Sequence, residues 1–126
     1  MIFTINNKTN KDFNFKVKTS NHLTKPKKKI ELVDIPGRTG ALILDEGARE
    51  NFTLTIEGYI DARSSSLKSL CERLDSWLNG TIGYQTITFD DGTVLKAVFI
   101  GEINPEEIKN NFGTLSLEFS AYSEVV

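Results

Sequence analysis

Cysteine occurs once in the 126 residues, as Cys71, and histidine once, as His22. A single cysteine excludes an internal disulfide and a cysteine-only metal site. One histidine and one cysteine, far apart in sequence, give no nucleophile–base pair, because nothing orients them. No apolar run approaches the roughly 18 residues of a membrane span. The opening residues, MIFTINNKTNKDF, lack the apolar core of a signal peptide. Basic charge is not in excess either. Fifteen Lys and Arg stand against seventeen Asp and Glu, for a net charge of −2 and a pI near 5.4. A general nucleic-acid binder would want a strongly basic face. No GxSxG, HExxH, P-loop or GxGxxG sequence occurs. The carboxylates are scattered, and none lies in a context that predicts burial with a raised pKa. Asp90 and Asp91 adjoin Gly92, but Thr93-Val94-Leu95 follows where a calcium loop would need further oxygen ligands. The expectation is no enzyme, no cofactor and no metal.

What is present is an ordinary globular composition, with 39% hydrophobic and 25% charged residues. The segment Ser64 to Gly80 carries the one convincing helix. Leu67, Leu70, Cys71, Leu74, Trp77 and Leu78 recur at helical spacing and share a face. Lys68, Glu72, Arg73, Asp75 and Ser76 cover the other. Ser65 or Ser66 is the expected N-cap. Gly80 is expected to end the helix in the left-handed conformation. Cys71 on the apolar face reads as a small buried hydrophobe, and its lone thiol fits folding in a cytoplasm. A helix this short needs a surface to lie on, and the rest of the chain predicts strands.

Phe13 to Val17 alternates, and Lys29 to Ile35 reads as a second strand. Between them lies a polar stretch containing His22, expected as an exposed loop residue, and the run Lys25-Pro26-Lys27-Lys28-Lys29. That run reads as a solvated loop or a lysine-guarded sheet edge. No aromatic residue interleaves the lysines to stack on bases. Pro36-Gly37 predicts the centre of a type II turn, with Gly37 at positive φ. A short apolar run, Ala41 to Leu44, follows. Asn51 to Asp61 is the clearest strand, with Gly58 interrupting its apolar face to allow a bend or a close backbone approach. Asp90-Asp91-Gly92 joins Gly83–Phe89 to Thr93–Gly101 as a hairpin. Asn104 to Gly113 is a polar connector with room for one helical turn after Pro105. Thr114 to Ala121 alternates again. The expected fold is mainly β with one packed helix (α+β), a sandwich or barrel of about six or seven strands. No repeat, low-complexity tract or linker divides residues 1–126, so one domain is expected.

The order of these features is more specific than any one of them. Ile35-Pro36-Gly37-Arg38-Thr39-Gly40, the strand NFTLTIEGYI, the helix ending Ser76-Trp77-Leu78 and the strand ending Phe89-Asp90-Asp91 resemble the N-terminal domain of the distal tail proteins of long, flexible-tailed bacteriophages. The resemblance runs from about Phe13 to Tyr122. Thr39 stands where that family often has an acid, which bears on that side chain and not on the turn formed by Pro36, Gly37, Arg38 and Gly40. Larger members continue into a second, often carbohydrate-binding-like domain. The resemblance covers the first, ring-forming one, and is compatible with either a short form or a piece of a longer protein.

The resemblance implies a tail-tube-like fold and a structural role in the virion tail. Six copies would form a ring at the far end of the tail tube, joining it to the tip or baseplate, with DNA passing through unbound. The implied partners are further copies of the chain, the tube, the tape measure and the tip or baseplate proteins. The implied location is the virion tail, after synthesis in the host cytoplasm, with no membrane contact. A tail-tube subunit is the nearest alternative. A carbohydrate-binding β-sandwich is another, and Tyr59, Tyr84 and Tyr122 are its candidate aromatics. Arg38 has two expected roles, a local bond to a carbonyl or carboxylate, or a contact to the neighbouring subunit.

Overall fold

The computed structural model describes residues 1–63, 65–109 and 111–123. Ser64, Asn110 and Val126, which belong to segments read above, lie outside that description. Two alternating segments form the centre of the fold. Strand β6 (Phe52–Asp61) and strand β10 (Phe112–Tyr122) pair antiparallel from Phe112 opposite Asp61 to Ala121 opposite Phe52. Alternate side chains leave opposite faces of a strand. Leu54, Ile56 and Ile60 therefore turn inward with Leu115, Leu117 and Phe119, and all six are buried. Gly58 lies opposite Val17, where a Cβ would run into the Lys16 backbone carbonyl. The close approach therefore requires glycine.

Around this pair lie β1 (Phe3–Ile5), β2 (Lys8–Thr9), β3 (Phe15–Ser20), β7 (Gln85–Phe89), β8 (Val94–Phe99) and β9 (Glu106–Lys109). The strand order is β2-β1-β7-β8-β10-β6-β3, with β9 also on β10. Strands β1 and β3 do not pair with each other, and one side chain bridges them at a seam. Asn10, in a 3-10 turn (Asn10–Phe13), closes it. Its Oδ1 accepts the Phe3 N–H at 3.1 Å, and its Nδ2 donates to the Phe15 carbonyl at 2.8 Å. Strand edges that meet without pairing leave backbone groups to satisfy, and one buried amide side chain serves both.

Helix α1 (Leu67–Asn79) lies against the β1 end of this sheet. The Ser66 Oγ accepts the Ser69 N–H at 3.0 Å, so Ser66 is the N-cap. Leu70, Leu74, Trp77 and Leu78 are buried, and Leu67 and Cys71 are half-buried. Each fully buried leucine stabilises the fold by roughly 1.5–3 kcal/mol relative to exposure. The Trp77 ring stacks against Phe13 at 4.5 Å and Phe3 at 5.6 Å. Its Nε1–H donates to the Ile5 carbonyl at 2.8 Å, so the indole is buried without an orphaned donor.

The remaining two strands, β4 (Lys28–Val33) and β5 (Leu42–Arg49), form a separate two-stranded sheet. The fold is thus mainly β with one helix. It has three short strands beyond those read from the sequence: β1, β2 and β9. The first two are too short for alternation to reveal. The third occupies the place read as a helical turn after Pro105, because Gly113 and Thr114 offer Glu107 and Glu106 a partner strand. Gly80 is not left-handed, at φ −75° and ψ −12°. The chain postpones its reversal to Gly83, at φ +88°. His22 is not an exposed loop residue. It is 4% exposed, because the loop after β3 folds back over Phe89.

Candidate assembly surface

The β4–β5 hairpin leaves the body at a pinch, where the Glu50 N–H donates to the Lys27 carbonyl at 2.7 Å. Arg49 Nη1 adds a bond to the Pro26 carbonyl at 3.0 Å. Leu32 pairs with Ile43, and Glu31 with Leu44. By the two-residue period, Ile30, Leu32 and Ile43 share one face, and Leu44 lies on the other with Val33 and Leu42. Leu32 and Ile43 are each 63% exposed, and Ile30 and Leu44 are exposed as well. A two-stranded hairpin is marginal in water by itself. Apolar side chains open to solvent on both faces make this hairpin the candidate surface for association.

The hairpin's tip is the PGRTG segment. The Arg38 N–H donates to the Ile35 carbonyl at 3.2 Å across Pro36 and Gly37, and Gly37 has φ +79°. That is the geometry of a type II turn. Pro36, Gly37, Arg38 and Gly40 are all exposed, and Gly40 also has positive φ. Arg38 forms no ion pair among the described residues. At the other end of the hairpin, Lys25, Lys27, Lys28 and Lys29 are all exposed.

A second feature lies on the body. Every residue of β9 is exposed, including Ile108 at 61%. One edge of β9 pairs with β10, and the other pairs with no strand among the described residues. The outward side of β6 and β10, by contrast, carries Thr53, Glu57 and Glu118 in solvent.

Three further groups complete the chemistry. His22 Nε2 lies 2.7 Å from Asp91 Oδ2, and Nδ1 lies 3.0 Å from Ser20 Oγ. The Thr93 N–H on the other carboxylate oxygen, then His22, hold the Asp91 carboxyl down to about 2. Partial burial pushes the Cys71 thiol upward, away from the reactive thiolate. Tyr84 and Tyr122 meet edge to face at 5.0 Å, with the Tyr84 hydroxyl accepting from Asn51 Nδ2 at 2.8 Å. Tyr59 is elsewhere, stacked on Phe112. The three tyrosines therefore make no common platform. Sequence reasoning missed Asn10 and the His22–Asp91 pair, whose partners lie across the sheet seam. Asn10 stands three residues before Phe13 in a run of polar residues, with no local pattern to mark it as buried.

The sequence profile of the phage tail protein RIFT-related domain matches residues 2–121. No curated protein matches the chain in sequence. Among solved structures, the fold is similar to that of the SPP1 Dit (gp 19.1) protein, described as a paradigm of the hub adsorption apparatus in phages infecting Gram-positive bacteria. The TM-score is 0.72 at 16% identity, over 97% of this chain and 51% of that one. The chain thus spans about half the length of that protein.

Proposed function

The chain belongs to the phage tail protein RIFT-related domain family, and from that premise we propose that it is a structural subunit of a ring at the distal end of the tail. Six copies surround a channel for DNA and connect the tail tube to the tip or baseplate. The observation that carries this reading is the β4–β5 hairpin, with exposed apolar residues on both faces and, among the described residues, no partner strand in the eight-stranded sheet. A closed ring needs two different complementary surfaces on each subunit, because its interface is head-to-tail. A projecting hairpin supplies one such surface.

The outward face of β6 and β10 suits the channel. Thr53, Glu57 and Glu118 are polar or acidic, and a lining of such residues adds no phosphate contacts to slow passing DNA. The tube, the tape measure and the tip or baseplate proteins are the expected neighbours in the virion tail. Catalysis forms no part of this role, and an activity screen on cell-wall polymers would expose an error there.

Electron microscopy at high protein concentration, or of the protein added to tail tubes, tests the reading. A ring with a hole wide enough for duplex DNA supports it. A closed twofold dimer, or a sugar held against Tyr84 and Tyr122, sinks it. Gold-labelled antibodies on intact virions separate the tip position from a tail-tube subunit, which would label the whole tail.

A further inference from the structure

We propose that β4 of one copy adds in parallel to the free edge of β9 in the next, placing Lys28, Lys29, Ile30 and Glu31 beside Glu106, Glu107, Ile108 and Lys109. The inference rests on the ring reading and names its two joining surfaces. All eight of these residues are exposed. Each strand has one edge paired within its own sheet and no strand on the other among the described residues. Within one chain the two belong to different sheets, so neither covers the other. Lys29 and Ile108 also fall at register shifts in their own ladders.

The order of charges selects the direction. Aligned in parallel, KKIE meets EEIK, so Lys28 and Lys29 face Glu106 and Glu107, Ile30 faces Ile108, and Glu31 faces Lys109. Aligned antiparallel, Lys28 faces Lys109 and Glu31 faces Glu106. Neighbouring strands place such side chains about 5 Å apart, where opposite charges stabilise and like charges destabilise. Parallel ladders are slightly weaker per residue, and here the side-chain pairing outweighs that difference. An exposed strand edge gives main-chain affinity, while the side chains give register. Because β4 and β9 are different surfaces, the contact is head-to-tail and repeats from copy to copy, which is the kind of interface a ring is built from when the rotation between copies closes.

The test has two arms, both read by native mass spectrometry and electron microscopy of the assembled protein. In the first, Lys28→Glu with Lys29→Glu abolishes rings, and Glu106→Lys with Glu107→Lys does the same. Combining all four restores them. In the second, Ile30→Cys and Ile108→Cys are placed together in a Cys71→Ser background and oxidised. Adjacent strands bring the Cα atoms within disulfide reach, so a covalent ladder up to the full ring forms, and neither single variant gives one. Circular dichroism confirms folding of each variant, since the positions joined across the contact are all exposed. Rings that survive the charge reversals, or that give no ladder, overturn the β4–β9 contact and leave the ring reading standing. A wild-type protein that forms no ring, alone or on tail tubes, overturns both.

Discussion

The imidazole of His22 lies 2.7 Å from the carboxylate of Asp91 and stacks on Phe89 at 4.2 Å. The loop after β3 is thereby tied to the β7–β8 turn, on the other side of the sheet's seam. Asp91 can only accept when ionised, so Nε2 carries the proton in that state. The contact links two segments 69 residues apart and anchors the chain just before it leaves for the hairpin.

The first prediction follows from that tie. The Thr93 N–H and then His22 lower the Asp91 pKa from 3.8 to about 2 in the folded protein. The folded state therefore binds this proton less readily than the unfolded chain. Its stabilisation is fully present above about pH 4 and is lost as pH falls through 2. Asp91→Asn should lower the Tm at pH 7, and the gap from wild type should close as pH approaches 2. A gap independent of pH across that window would mean that the carboxylate charge plays no part. His22→Ala also removes a buried ring, and should cost roughly 1–3 kcal/mol at pH 7.

Asn10 gives a second prediction. Asn10→Ala leaves the Phe3 N–H and the Phe15 carbonyl buried without their partner. Each such group costs about 1–3 kcal/mol, so urea denaturation should show a loss of about 2–6 kcal/mol. Asn10→Asp keeps the acceptor for Phe3. Ionised, it has no donor for the Phe15 carbonyl, but protonated at low pH its O–H can replace that donor, so it should fall in between there. A loss under about 0.5 kcal/mol for the alanine variant would put the seam's hydrogen bonds elsewhere.

The helix gives the third. Leu74 is fully buried, and Leu74→Ala should cost about 2–5 kcal/mol. Trp77→Phe keeps the aromatic contact with Phe13 but orphans the Ile5 carbonyl, and should cost about 1–3 kcal/mol. If the phenylalanine variant is as stable as wild type, the indole N–H is not needed for that carbonyl.

These sites differ in how far sequence could reveal them. Leu70, Leu74, Trp77 and Leu78 repeat at helical spacing, and Leu54, Ile56 and Ile60 alternate, so local pattern points to their buried sides. The Asp-Gly turn between β7 and β8 is equally local. His22 and Asn10 are different. Each is polar and sits in a polar neighbourhood. His22 is buried against Asp91, 69 residues away, and Asn10 is buried because the chain folds Phe3 and Phe15 onto either side of it. Strands β1 and β2 are shorter than one alternation can display. The hairpin is an intermediate case: its turn was readable from Pro36-Gly37, but its separation from the main sheet was not. A strand with apolar side chains reads the same whether its partner lies in the chain or in another copy.

The fourth prediction concerns that hairpin's tip. Gly37 has φ +79°, and a Cβ placed on it would meet no atom within 4 Å, so any penalty there comes from backbone conformation alone. Gly37→Val strains the turn, because a β-branched residue fits positive φ badly. The strain falls on an exposed loop outside the main core. Thermal melting should therefore shift little, while ring formation weakens. Arg38→Ala should likewise leave the melt unchanged and weaken assembly, if its guanidinium meets the next subunit. An Arg38→Ala protein that assembles normally would remove that role.

The last prediction separates the hairpin from the body. The Glu50 N–H bonds the Lys27 carbonyl, so the two ends of the excursion are already in contact. A loop that closes at its base can be shortened there with little change in closure entropy. Replacing residues 28–49 with Gly-Gly should therefore leave the eight-stranded sheet and α1 in place. Among the described residues, none of the buried core lies in that segment. The far-UV circular dichroism should keep its helical signal, and the Tm should stay within a few degrees of wild type. Solubility should rise, because Ile30, Leu32, Ile43 and Leu44 are removed from water. Ring formation should be lost even at high concentration. A body that unfolds without the hairpin would make β4 and β5 part of the folding unit. A body that still forms rings would move the assembly surface to another part of the molecule.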